Sequence, residues 1–224
     1  MIAEKSGRAF VPLPGQTAGD SHWIDSMWNR RDVLASAKNR PGVAMWMSSS
    51  ATPGNMACYV TEDHGATVTK KFTGRGDTLG DTDQFYEGKI EHLYTSQTSW
   101  IYAYGGFDRN PHVMRSDDDG TSWAHLRGST VSYVQSFSQG AAPPGGTLPI
   151  LWLVCTVGGV PGVYYSLDLL ATDPVLVSGC RYPDGELQFL SKIAGDRNVW
   201  NRAYVVRSGA GYQTVDLLDV ATGS

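Results

Sequence analysis

One phrase recurs along this chain: an apolar run, then Ser or Thr, any residue, Asp, any residue, Gly. It stands in ACYVTEDHGATV (57–68) and HVMRSDDDGTSW (112–123), and again in GVYYSLDLLATD (162–173), where Leu170 replaces the glycine. A weaker echo, YVVRSGAGYQTV (204–215), keeps Ser208 and Gly211 but has no Asp. The leading hydroxyl residues fall at 61, 116, 166 and 208, in steps of 55, 50 and 42. The phrase has a local physical meaning. An Asp side chain accepts from backbone N–H groups just downstream, and Gly supplies a positive φ, so each copy reads as a tight turn closing a strand. A repeat of roughly 40–50 residues holding several strands is the period of a β-propeller blade.

The segments between the copies support that reading. Residues 42–47, 56–60, 90–94, 100–104, 148–156, 163–166 and 203–206 are short runs rich in β-branched and aromatic residues. Gly, Pro, Asp, Asn or Ser bound them, as strands require. Gly (26) and Pro (11) are frequent, which suits many turns and not a helix bundle. One stretch, Trp23 to Lys38, puts Trp23, Met27, Val33 and Leu34 on one helical face and is the single helix expected. The expected fold class is therefore all-β, a small β-propeller of four or five blades in one domain spanning 1–224. Its blades fall at about 32–72, 88–127, 130–177 and 186–219, with a strand at 8–12 closing the last of them.

The copy Ser116-Asp117-Asp118-Asp119-Gly120-Thr121-Ser122-Trp123 resembles the Asp-box, S-x-D-x-G-x-x-W, of sialidase-type propellers. The resemblance runs over roughly 160 residues, and the chain is shorter than the six-bladed sialidases. It implies a hairpin between the third and fourth strands of each blade. Thr61, Asp63, Gly65, Ser116, Asp118, Gly120, Ser166 and Asp168 would be structural turn residues there, and Trp123 a wedge between blades. It also implies a chemistry to look for: an arginine triad, a Tyr nucleophile with its Glu, and an Asp acid/base, an exception to the usual two-carboxylate plan. The family's N-terminal aromatic-Arg-Ile-Pro signature has only Asn39-Arg40-Pro41-Gly42 as its counterpart, without the aromatic or the Ile. The glutamates, Glu4, Glu62, Glu87, Glu91 and Glu186, form no evident pair with a tyrosine. No catalytic residue is assigned on this basis. The expected role is a non-catalytic binding or structural module of a larger assembly, resembling the appendage and decoration proteins of phage virions. The alternative is a sialidase-like glycoside hydrolase.

Charge and composition bound the partners. Lys and Arg number 18 against 22 Asp and Glu, a net charge of −4, so a generic phosphate-binding surface and nucleic acid are not expected. No apolar stretch is long enough to span a bilayer, and residues 1–15 contain no signal-like apolar run, so cytosolic synthesis is expected, with a virion as destination. Three scattered cysteines and five histidines without HxH or HxxxH spacing predict neither a disulfide framework nor a metal site, and no cofactor is expected. Asp77, Asp81 and Asp83 lack the spacing of a calcium loop and read as a solvated acidic segment.

Aromatic residues are in surplus, and Trp100, Tyr102 and Tyr104 alternate along one strand and so share a face. That face reads either as blade core or as a sugar-stacking platform, with Asp108 and Arg109 in the adjacent loop supplying hydrogen bonds. The expected partners are a glycan or neighbouring protein subunits, the latter including copies of this chain in a homo-oligomer. Pro143-Pro144-Gly145-Gly146 reads as a loop tip.

Overall fold

Alternation of apolar and polar side chains gives each strand two faces, and here both faces of most sheets are used. The computed structural model describes residues 15, 30–32, 34–49, 55–75, 87–105, 113–126, 130–181, 192–207 and 211–217. Among them the chain is all-β, without helix. A three-residue strand, β1 (Arg30–Asp32), comes first. Then follow β2 (Leu34–Ser36), β3 (Ala44–Ser49), β4 (Asn55–Thr61) and β5 (Thr69–Arg75), which make the first sheet. The second sheet holds β6 (Glu87–His92), β7 (Trp100–Gly105), β8 (Val113–Ser116) and β9 (Ala124–Leu126), with β1 added in parallel beside β6. The third contains β10 (Val131–Gln139), β11 (Leu151–Val157), β12 (Val160–Ser166) and β13 (Val175–Arg181). The fourth has β14 (Lys192–Gly195), β15 (Arg202–Arg207) and β16 (Gly211–Asp216).

Apart from β1, sequence neighbours pair antiparallel in chain order, so each sheet is an up-and-down meander. The sheets stack on one another through apolar faces. Met45, Met47, Cys58 and Val60 of the first meet Ile90, Trp100, Tyr102 and Met114 of the second. The opposite face of the second, with Ile101, Ala103 and Val113, packs on Leu151, Leu153, Cys155 and Tyr164 of the third. The far face of the third, with Ile150, Trp152 and Val154, packs on Ile193, Ala203, Val205 and Val215 of the fourth. Burial at this scale is the main force holding such a stack, at about 25 cal/mol per Å² of apolar surface. Close approach at the third seam depends on glycine. A Cβ on Gly195 would sit 2.6 Å from the backbone nitrogen of Gly140, so β14 can meet the end of β10 only without a side chain there.

Two expectations change. Residues 30–32 and 34–36 of the anticipated helix are strands β1 and β2. The arginines that interrupt the helical stripe, Arg30 and Arg31, lie in β1, whose backbone bonds go to β6. Trp23 and Met27 lie outside the described residues. The weak fourth echo is also not equivalent to the others. Among the described residues Gly211 opens β16 itself, whereas Gly65 and Gly120 of the earlier phrases stand in the turn before the next strand. The segment 8–12 lies outside the described residues.

Candidate functional site

Up-and-down order brings the first-to-second and third-to-fourth connections of every sheet to the same end. The three repeated turns stand at that end, and they are built alike. In the first, the Thr61 Oγ1 accepts from the Gly65 N–H at 2.8 Å, and Asp63 accepts the Thr67 N–H at 2.8 Å and its hydroxyl at 2.7 Å. In the second, Ser116 accepts from the Gly120 N–H at 2.8 Å, and Asp118 accepts the Ser122 N–H at 2.8 Å and its hydroxyl at 2.6 Å. In the third, Ser166 accepts from the Leu170 N–H at 2.8 Å, and Asp168 accepts the Thr172 N–H at 2.9 Å and its hydroxyl at 2.6 Å. Thr67, Ser122 and Thr172 were missed in the sequence, although a hydroxyl residue recurs six positions after the leading Ser or Thr each time.

These bonds fix the charge of the aspartates. The Thr67 N–H and hydroxyl hold the Asp63 carboxyl below the usual carboxylate range. Burial pushes Asp118 and Asp168 upward, but the hydroxyl and N–H donors of Ser122 and Ser116, and of Thr172 and Ser166, outweigh it, and both titrate below that range. Each turn carries two consecutive left-handed residues: His64 and Gly65, Asp119 and Gly120, Leu169 and Leu170. The second turn rests on the neighbouring sheet, since a Cβ on Gly120 would lie 2.7 Å from Cys58 Sγ and 2.9 Å from Met45 Cε. Trp123 donates from Nε1 to the Gly120 carbonyl at 3.2 Å and meets Tyr102 edge-on. Trp123 packs against the core between the first and second sheets.

Polar ties rim the seams at the same end. The Arg40 Nη1 donates to both oxygens of Asp119 at 2.8 and 2.7 Å and to the Gln97 carbonyl at 2.8 Å. The indole of Trp100 donates to Asp119 at 3.0 Å. Beneath them His92 is fully buried and edge-on to Trp100, with the Lys38 N–H on Nδ1 and the Gln97 carbonyl at Nε2. Burial holds this imidazole below its ordinary range, against the opposing pull of the Gln97 carbonyl. At the next seam Glu91 accepts from the Lys89 ammonium at 2.8 Å and from the backbone and side-chain amide N–H groups of Gln139 at 3.2 and 3.0 Å. The Lys89 ammonium also donates to the Phe137 carbonyl. Arg197, 3.9 Å from Glu91, lies over the Tyr94 ring at 4.6 Å. Together these groups tie β6 and β10 to each other and to the connection that follows β14. Among the described residues no cluster of three or more His, Cys, Asp or Glu is arranged to hold a metal ion.

The aromatic platform read in β7 is corrected in part. Trp100 and Tyr102 are sealed inside the first seam, so neither ring has a face left for a sugar. Alternation placed them on one side of the strand, but each side of that strand meets another sheet. Tyr104 lies on β7 with its side chain outside the described set, and Asp108 and Arg109 lie outside the described residues.

No known family profile matches the chain, and no curated protein does. Solved structures do. The GH74 enzyme of Niastella koreensis aligns over 80% of this chain and 25% of its own, at 20% identity and a TM-score of 0.55. The GH74 xyloglucanase of Xanthomonas campestris aligns over 82% of this chain and 24% of its own, at 19% identity and a TM-score of 0.57. The chain thus spans about a quarter of the length of these β-propeller enzymes, and the likeness is one of fold. The expectation of a non-catalytic virion module is corrected by this likeness, since the two neighbours in fold named here are GH74 enzymes. The sequence reading weighs only the sialidase signature, and a glycoside hydrolase stands in it as the alternative. Most glycosidases need only two carboxyl groups, which leave no such signature.

Proposed function

We propose that this chain is a glycoside-hydrolase-type β-propeller that acts on a polysaccharide, its four sheets being blades and its three repeated turns Asp-box hairpins. The observation that carries the reading is the alignment of four-fifths of the chain with two GH74 enzymes. One of these is a xyloglucanase, which makes a neutral β-linked glucan the first substrate to try. The reaction asks for one carboxylic acid to protonate the leaving oxygen and one carboxylate to activate water or attack. A proton donor needs a raised pKa. Asp63, Asp118, Asp168 and Asp196 are all pulled the other way by hydrogen bonds, which places them behind the remaining carboxyl groups as candidates for the acid.

The test is release of reducing ends from xyloglucan and from unsubstituted β-glucan, with a fluorogenic sialoside in parallel. Hydrolysis of a glucan supports the reading, and hydrolysis of the sialoside alone would replace it with the sialidase chemistry. No release from any of the three overturns it. Amide substitutions at Glu62, Glu91 and Asp117, and at Asp77, Asp81 and Asp83 outside the described residues, then locate the pair. A loss of activity above about 100-fold with an unchanged melting temperature marks an acid or base.

A further inference from the structure

Both imidazole nitrogens of His92 are committed. The residue ends β6, is fully buried and meets Trp100 edge-on at 4.7 Å. Nδ1 faces the Lys38 N–H at 3.4 Å, in the connection between β2 and β3. Nε2 lies 3.2 Å from the Gln97 carbonyl, in the connection between β6 and β7. A backbone N–H can only donate and a carbonyl can only accept, so the ring is neutral there, with its proton on Nε2 and a lone pair on Nδ1. One side chain of the second sheet thus holds a main-chain donor that belongs to the first. Other residues of the β2–β3 connection make parallel ties. Arg40 reaches the Gln97 carbonyl and Asp119, and Asn39 donates to the carbonyls of Tyr94 and Ser96 at 3.3 and 2.8 Å. The same connection supports the first repeated turn, because the His64 N–H donates to the Gly42 carbonyl at 3.0 Å.

We propose that His92 is an acid-sensitive clasp, and that protonation of its ring releases the β2–β3 connection from the second sheet. A proton on Nδ1 turns the acceptor into a second donor and sets two N–H groups against each other. Among the described residues no carboxylate bonds to either ring nitrogen, so the buried cation gains no new partner. The surrounding charges do not offset this. Lys38 and Arg40 of the β2–β3 connection disfavour a further positive charge. Asp119 of the β8–β9 turn favours it, but Arg40 and the Trp100 indole already engage that carboxylate. Glu91, the preceding residue of β6, is bonded on the other side of the strand by Lys89 and Gln139. Burial, aided by the two cations, holds the imidazole below its ordinary 6.5 against the pull of Gln97 and Asp119. The released ring therefore takes up its proton first as pH falls. The clasp is at full strength above the ordinary value of 6.5 and weakens as pH drops toward the lower value of the buried ring. Over that interval opening gains up to about tenfold for each pH unit.

The experiment is amide exchange of the full chain followed by NMR from about pH 7.5 to about pH 5, which brackets the ordinary imidazole range. Results are expressed as protection factors, so the intrinsic pH dependence of exchange drops out. The window lies above the carboxyl range, and the turn aspartates stay ionised throughout. Lys38 keeps a constant protection factor down to about pH 6.5 and then loses up to about tenfold per unit. Leu153 and Val154, in the central strand β11, keep theirs. His92→Gln can still accept from Lys38 through Oε1 and donate to Gln97 through Nε2, and it shows no such step. His64→Asn is run in parallel, because the His64 ring also lies against this connection, 3.0 Å from where a Cβ on Gly42 would stand. It behaves like wild type. Unchanged protection of Lys38 across the range overturns the proposal. So does a loss that Leu153 and Val154 share, which is global unfolding, and so does a step that His64→Asn abolishes or that folded His92→Gln retains. The wild-type curve decides by itself if His92→Gln does not fold.

Discussion

Gly120 meets two demands at once. Its backbone is left-handed, with φ +82°, and its α-carbon stands where a methyl group would strike Cys58 and Met45 of the neighbouring sheet. Gly120→Ala therefore costs about 1–3 kcal/mol in overpacking and about 1–2 kcal/mol more for the left-handed conformation. Gly145 shares the positive φ at +75° but has open space around it. Gly145→Ala thus carries the conformational cost alone. Chemical denaturation of both variants separates the terms, and equal losses would show that the contact with Cys58 and Met45 is not tight. At the same turn position of the third repeat Leu170 is left-handed at φ +65° yet buried in the second seam. Leu170→Gly relieves about 1 kcal/mol of backbone strain but removes a buried side chain, a loss of about 2–5 kcal/mol. A lower unfolding free energy is expected for Leu170→Gly, and a gain would show that strain outweighs packing at this turn.

The turn is the element in which the sequence speaks most directly, because its bonds span only two to four residues. Asp63, Asp118 and Asp168 are ionised hydrogen-bond acceptors whose folded-state pKa lies below that of the unfolded chain. The unfolded state therefore takes up protons first as pH falls. Stability from these groups is complete above the ordinary carboxyl range near 3.8 and drains away below it, through their folded values. Melting curves from pH 6 to pH 2 should fall steeply below about pH 4, and Asp118→Asn should flatten the fall while lowering the neutral-pH midpoint. A parallel slope in that variant would remove Asp118 from the acid response. The same locality explains what was legible. Strand alternation and the Ser/Thr-x-Asp phrase are short-range, and they reveal β3, β4, β6, β7, β11, β12, β15 and the three repeated turns, whereas β1 and β2 lie in a stretch that reads as a helix. The Arg40–Asp119 tie joins residues 79 apart and the Glu91–Gln139 tie residues 48 apart, so neither leaves a spacing to read. Nor does burial of Trp100 and Tyr102 show in their own strand, since it depends on a neighbouring sheet that approaches from elsewhere in the chain.

Across the whole molecule the described seams have apolar centres and polar rims, and the two differ in what they contribute to four sheets behaving as one body. Glu91 is the clearest case, because Lys89 and the two N–H groups of Gln139 all converge on it and Arg197 stands nearby. Both Glu91 and Lys89 are largely shielded from water. Glu91→Ala leaves an ammonium and an amide with fewer acceptors at the meeting of three sheets. Such buried unpaired groups cost about 1–3 kcal/mol each. The denaturation slope tells how that loss is transmitted, since it scales with the surface exposed in one cooperative step. If the rim only adds stability, the midpoint falls and the slope is kept. If it also couples the sheets, the single transition of wild type splits, with the first and second sheets separating from the third and fourth. We expect the first outcome. The apolar seam of Ile101, Val113, Leu151 and Leu153 lies directly beside the Glu91 cluster and survives the substitution. Two transitions followed by tryptophan fluorescence and far-UV circular dichroism would show instead that this carboxylate, and not the hydrophobic seam, holds the stack together.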